Sequence, residues 1–436
     1  MKIISIVLGA LAAGVVFCHA AAESALKFDN AGTESDGKSQ FFVPYRQLTF
    51  APGNHWFAYY DKLECDPSQR YALAMRVDFE GRSPTDKDII EIGMVDLLDN
   101  CKWTKLGVSR AWGWQQGCQL QFIPQSDSEV IWNDREGDKF VARILDVKTG
   151  KIRVLPRAIY ALSPDGKWAV TVDYSRVNDM RPGYGYKGIP DPCAAANVPA
   201  DSGIWKVDLK TGESKMIVSI ADAVAVPDEF DKSFSEAKHW FNHLLVSPDS
   251  KRFIFLNRWR YSDAERTKMN KDGGGYKTRM FTADADGKDL RVIDPYNHTS
   301  HFIWEGNSRV LAWTTIPPFG AGFFSIADSA QKDVRQVGKG IMTCNGHQTF
   351  LKNPDWILCD TYPDAESFQT VYLYNVKTGK RRDIAKLYSP IAYRGEWRCD
   401  THPRATPDGR HVIVDSPHNG GRQLYIMDIS GIVGEK

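Results

Sequence analysis

From Phe50 onward, apolar and polar positions alternate in short runs, and the runs come in pairs. The first run of each pair follows a turn: DPSQRYALAMRVD from Asp66, QSDSEVIWND from Gln125, SPDGKWAVTVDY from Ser163, SPDSKRFIFLNRW from Ser247, EGNSRVLAW from Glu305, NPDWILCD from Asn353 and TPDGRHVIVDS from Thr406. The second runs are IGMVDLLDN from Ile92, ARILDVKTGKIRVL from Ala142, GIWKVDLKTGESKMI from Gly203, RMFTADADGKDLRVI from Arg279, FFSIADSAQKDVRQV from Phe323, VYLYNVKTGKRRDI from Val371 and QLYIMDIS from Gln423. Period-two alternation makes strands, because successive side chains leave a strand on opposite faces. Seven turns alternating with seven hairpins at a spacing of roughly 40 to 60 residues predict an all-β chain, a seven-bladed β-propeller. No amphipathic stretch is long enough to support a helical alternative.

The repeat divides the chain. Residues 1–22 read as a cleaved signal peptide, with Lys2, an apolar run from Ile3 to Val16 and small residues at Ala20, Ala21 and Ala22. Export to a periplasm or the outside is therefore expected, without membrane insertion, since no other segment approaches the roughly 20 apolar residues of a spanning helix. Residues 23–42 are polar without periodicity and read as a flexible lead, and 43–436 form a single propeller domain. The last hairpin ends almost at Lys436, so an early strand around Trp56 to Tyr60 is expected to complete the final blade and close the ring. Two long loops stand out: Arg176 to Asp201, which contains RPGYGY, and Tyr261 to Lys277, which contains Gly273 in a GGG run.

Composition narrows the partners. A net charge of +1 without basic clusters argues against nucleic acid or an anionic membrane. Thirteen Trp among 12% aromatic residues fit sheet cores first and sugar stacking second. Seven cysteines remain after the signal, an odd number that leaves at least one thiol or metal ligand, and Cys65 with Cys101 is a plausible disulfide.

Eight of the ten histidines lie after residue 238, and four share a register. His243 precedes SPDS, His301 opens HFIW, His347 precedes the strand that ends at NPD, and His402 precedes TPDG. Equivalent positions in successive blades converge at one end of the channel, where three imidazoles with an open position make a catalytic metal site. Cys399-x-x-His402 and Cys344-x-x-His347 add candidate thiolates that tilt the choice toward zinc. Asp360 and Asp415 end strands, where turn capping is the plainer role.

HWFNHLLVSPD, SHFIW, GHQTF and CDTHPRATPDG together resemble the oligogalacturonate lyase group of seven-bladed propellers, with a further likeness to the ulvan lyase propellers. The resemblance implies a metal, manganese or zinc, that binds a uronate carboxylate. His301 and His402 match metal ligands, His347 is a third, and His243 matches the catalytic base. Where that family has a second histidine two residues after the first, this chain has Arg404, and Cys399 stands at the position of a glutamine ligand.

The implied reaction is β-elimination, in which the proton beside a carboxylate is removed. That proton is a poor acid until a cation or arginine spreads the charge of the resulting dianion. Tyr184 or Tyr186 is the expected acid. Arg279 or Arg404 is expected on the carboxylate, and Arg258 and Arg260, two apart on one strand, are further substrate contacts. The expected partner is an acidic polysaccharide or oligosaccharide, met by a monomer. The alternatives are a non-catalytic TolB-like periplasmic binding or scaffold propeller and a propeller glycoside hydrolase. The latter needs two channel-facing carboxylates, where this chain places histidines.

Overall fold

Each turn-and-hairpin unit becomes one antiparallel sheet in the computed structural model, which describes residues 26–261, 275–329 and 333–434. Seven sheets result, six of four strands and one of six. Blade 1 runs Asn54–Trp56, Tyr71–Val77, Ile90–Asp96 and Lys102–Ser109 from the inner strand outward. Blades 2 to 7 begin with the inner strands Gln121–Phe122, Ala161–Leu162, Lys238–Val246, Phe302–Glu305, Thr349–Phe350 and Arg404–Ala405. In every blade the first run of a sequence pair forms the second strand and the second run the third, for example His411–Ser416 against Gln423–Asp428. A seven-bladed propeller is the fold. The predicted signal peptide lies outside the described residues, and among those residues no helix is long and apolar enough to cross a membrane.

The ring closes differently from the expectation. Tyr45–Gln47, not the segment around Trp56 to Tyr60, adds the outer strand of blade 7, with Tyr45 opposite Met427 and Gln47 opposite Tyr425. The stretch read as a flexible lead is partly ordered, since Gly32–Thr33 and Gln40–Phe41 pair and extend the outer edge of blade 6. Apolar faces then meet between neighbours. One cluster joins Ile413 and Ile426 of blade 7 to Leu73 and Ile92 of blade 1 and Trp132 of blade 2. Tryptophans fill this core, with Trp56, Trp112 and Trp114 in mutual ring contact at 5.2 to 5.7 Å between centroids. All seven described cysteines are free, so Cys65 and Cys101, both buried, form no disulfide.

Two departures from regular strands shape the channel. The inner strand of blade 1 is interrupted: Trp56 pairs with Met75 and Cys65 with Ala72, while residues 57–64 between them leave the ladder. That excursion carries Tyr59, Tyr60 and Lys62, all buried, and Asp61, whose side chain is shielded from solvent. The loop after blade 3's second strand, read as 176–201, contains the short helix Tyr174–Met180. Of the second long loop, residues 262–274 lie outside the described residues.

Candidate metal and substrate site

Four consecutive blades each bring one histidine to the same place. His243 lies in Lys238–Val246, and His301, His347 and His402 stand one or two residues before the inner strands of blades 5, 6 and 7. Ring centroids are 6.4 Å apart for His243 and His301, 4.3 Å for His301 and His347, and 4.4 Å for His347 and His402. All four are buried. Two of them need unusual backbone, with φ of 53° at His243 and 38° at His402. Only a few per cent of residues other than glycine adopt such angles, and such strain gathers at functional positions. His243 sits where the register with the next strand shifts, between Asn242 and Leu245. The bulge turns its ring toward the channel instead of the sheet face.

His347 is held from behind. Its Nδ1 lies 3.0 and 3.1 Å from the two oxygens of Asp360, and its backbone N–H donates to Oδ1 at 2.6 Å. Thr401 Oγ1 donates to the other Asp360 oxygen at 2.5 Å. Gly346 permits this close approach, because a Cβ there would lie 1.9 Å from the Asp360 carbonyl oxygen. A carboxylate on Nδ1 fixes the ring and leaves Nε2 as the lone-pair nitrogen, the arrangement that supports metal-binding imidazoles. Nε2 of His347 and Nε2 of His402 are both buried, with no hydrogen-bond partner among the described residues. Between them stands Asp400, and the ligand atoms of His347, Asp400 and His402 lie within 4.8 Å of one another. His301 borders this trio, its Nδ1 3.0 Å from Asn345 Oδ1. Burial pushes the imidazoles of His301 and His402 well below their ordinary value, so both are neutral and carry a lone pair at pH 7. Two orphaned imidazole nitrogens facing a carboxylate fit a divalent cation better than any hydrogen-bonding role the described residues offer.

His243 faces a different set of groups. Tyr60 Oη donates to the Phe302 carbonyl at 2.8 Å and lies 3.3 Å from His243 Nε2, and Asp61 Oδ2 is 3.6 Å from the same nitrogen. The Tyr60 proton goes to Phe302, so its oxygen accepts from His243, and with the Asp61 carboxylate close by this assigns the proton to Nε2 and leaves Nδ1 as the basic nitrogen. Burial lowers the pKa of His243, and Asp61 opposes that shift. Asp61 is itself paired with Lys62 at 3.2 Å, both side chains being shielded from solvent. Tyr59 stands over the whole group, 5.3 Å from His243, 5.8 Å from His347 and 4.7 Å from His402 between centroids. Burial holds its hydroxyl well above the ordinary phenol value, so it remains a proton donor.

Arginines gather on the side of the long insertion. Arg398 donates to Asp400 Oδ2 at 2.8 Å and to Tyr184 Oη at 2.8 Å, and Arg181 donates to the same Oη at 3.2 Å. The Tyr184 hydroxyl is thereby linked to the histidine trio through Arg398 and Asp400.

No family model matches the chain. An oligogalacturonate lyase of Dickeya dadantii (strain 3937) is 22% identical over 244 residues, which cover 51% of this chain and 54% of that protein. The chain spans about half the length of the curated relative it matches. An oligogalacturonate lyase solved in complex with manganese superposes with a TM-score of 0.63 at 17% identity, covering 94% of this chain and 98% of that one. A second, from Vibrio parahaemolyticus, gives 0.61 at 14% identity over 92% and 96%. This chain shares the propeller fold of these oligogalacturonate lyases.

Against that fold, several residues singled out by sequence take other roles. Cys399 is not among the converging ligands. Its side chain is buried outside the trio of His347, Asp400 and His402, and burial raises its thiol. Cys344 is exposed and stands outside the trio. Arg404 binds no open site: it pairs with Glu64 at 2.8 Å and Asp415 at 2.9 Å, all three buried. Arg279 donates to the carbonyls of Ala223, Val226 and Pro227 at 2.9 to 3.1 Å, tying down the end of the helix Ile220–Ala225. Arg260 holds the Met180 carbonyl at 2.9 Å. Tyr186 accepts from Asn133 at 2.9 Å and stacks on Tyr174 at 4.0 Å, inside the core. Asp360 and Asp415 are buried partners of His347 and Arg404, not turn caps. The sequence offered no pointer to Asp400, Asp360, Tyr59 or Asp61, apart from a charged Asp-Lys pair set in the apolar run from Trp56.

Proposed function

We propose that the protein is a metal-dependent lyase of the pectin-degrading kind, cleaving oligogalacturonate or a related uronate oligomer by β-elimination. One observation carries the reading: four neutral or carboxylate-backed imidazoles from four blades meet at one channel end, three roles separable among them by their partners. His347, His402 and Asp400 would hold the cation, with His301 beside them. Imidazole and carboxylate without thiolate suit manganese as well as zinc. The manganese-bound lyase that shares the fold supports the first. A bound divalent ion would supply Lewis-acid polarisation of the substrate carboxylate.

The chain's own residues do the rest. His243, neutral and with Nδ1 unprotonated, takes the proton beside the carboxylate. Asp61 and Tyr60 hold the ring and stabilise its charged form once the proton has moved. The bond to the leaving oxygen breaks as the double bond forms, and the Tyr59 hydroxyl, kept protonated by burial, gives that oxygen its proton. Tyr184, held by Arg398 and Arg181, closes the site toward the insertion. The N-terminal apolar run and its alanines support export to a periplasm or beyond, where pectic oligomers are met.

Incubating the purified protein with manganese and a panel of acidic oligosaccharides, and following the ultraviolet absorbance of an unsaturated uronate, tests the reaction. Absorbance that grows with galacturonate oligomers supports it. New reducing ends without that absorbance would mean hydrolysis, and the proposal would be wrong.

A further inference from the structure

Beside the histidine cluster lies a second feature that the elimination itself does not use. Arg181 and Arg258, from blade 3's insertion and blade 4's second strand, both stack on the ring of Tyr276, at 5.2 and 4.8 Å from its centroid. Two guanidinium groups on one tyrosine repel each other, and among the described residues neither has a carboxylate partner. Arg258 is buried, its Nε donates to Thr278 Oγ1 at 3.2 Å, and its Nη1 has no hydrogen-bond partner among the described residues. Arg181 also covers the Tyr184 ring at 3.8 Å and donates to its hydroxyl. Buried arginine is ordinarily matched by an acid, as Arg404 is here by Glu64 and Asp415. Arg398 adds a third cation to this wall, and Asp400 is the one carboxylate paired with it.

An unmatched pair of planar cations, one of them buried, is a receptor for a planar anion. We propose that Arg181 and Arg258 on Tyr276 form a second anion subsite, which takes the carboxylate of the uronate next to the sugar that reacts. The inference rests on the uronate reading above and adds to it that the substrate is recognised through two carboxylates on neighbouring sugars, one at the histidine trio and one at the arginine pair. Neutral sugars joined to a single uronate would then bind poorly. The hydroxyl of Tyr184 links this subsite to Asp400 through Arg398.

The full-length protein carrying His243→Ala, loaded with manganese, allows binding to be measured without turnover. Calorimetric titration with digalacturonate and with galacturonate is expected to show the dimer binding more tightly. Adding Arg258→Lys should erase about ten-fold or more of that advantage while leaving the monomer unchanged, and Arg181→Gln, which also takes one donor from the Tyr184 hydroxyl, should erase at least as much. An unaltered dimer-to-monomer ratio in both variants would overturn the subsite and leave the lyase proposal standing. Arg258→Lys keeps the buried charge and Arg181 is only half-buried, so thermal melting of each variant should match its parent. If no uronate oligomer is turned over by the unmutated protein, the lyase proposal fails on its own. In that event, thermal stabilisation by inorganic sulfate that is lost in Arg181→Gln still supports an anion site, and sulfate stabilisation equal in both proteins sinks it.

Discussion

At the scale of single residues, the partners of each histidine separate what the histidines themselves share. His347 has a carboxylate behind it, the Nε2 atoms of His402 and His347 have no hydrogen-bond partner among the described residues, and His243 has Asp61 and Tyr60 at one nitrogen. This division predicts a pH dependence. Burial lowers the His243 pKa below its ordinary 6.5, so the base is competent throughout the neutral range and the acidic limb of kcat/KM falls below pH 6.5. Asp61 favours the protonated imidazole, so Asp61→Asn should move that limb further to acid while slowing turnover at neutral pH, because the imidazolium formed in the reaction loses its counter-charge. A limb that stays in place, or moves toward neutrality, would show that Asp61 does not act on His243. The histidines were legible because each stands shortly before a turn motif, four residues ahead of it for His243, His301 and His402 and six for His347. Asp360 was not, since an aspartate at a strand end looks the same whether it caps a turn or backs a buried imidazole, and Asp61 and Asp400 lie in irregular segments that carry no alternation.

Among the elements, the two irregular inner strands do most to build the site. Blade 1 gives up part of its ladder so that residues 57–64 can enter the channel, and blade 4 inserts a bulge at His243. Neither shows in the sequence pattern, because a strand that breaks and resumes keeps its apolar residues. The run Trp56 to Tyr60 therefore reads as a strand, and the two-residue pairings at Gly32–Thr33 and Gln40–Phe41 are too short to show any period. Blade 1's excursion is fastened to blade 7 by Glu64, which pairs with Arg404, and Arg404 also reaches Asp415. Removing the arginine leaves two buried carboxylates without a counter-charge. Arg404→Ala should therefore cost about 3 to 5 kcal/mol of stability, read as a lowered denaturant midpoint. A raised KM at unchanged stability would instead return Arg404 to substrate binding.

For the molecule as a whole, closure of the ring is what turns sequence register into a shared location. Each blade's turn fixes where its inner strand begins, and Tyr45–Gln47 on the outer edge of blade 7 draws the chain ends together so that blades 4 to 7 face blade 1 across one channel. The seven-fold repeat was plain in the sequence because every blade repeats one pattern of alternation. The closing strand was not, since three residues carry no alternation to read. Within that frame His347, His402 and Asp400 form the candidate cation site, with His301 beside it and His243 outside it. The most direct test is the metal content of the purified protein, with the His243→Ala and His402→Ala variants dialysed against the same dilute manganese. About one ion per chain is expected in the wild type and in His243→Ala, whose turnover should fall by about 10²- to 10⁴-fold, and His402→Ala should lose both ion and activity. A full complement of metal in active His402→Ala, or an active wild type free of metal, would contradict the account.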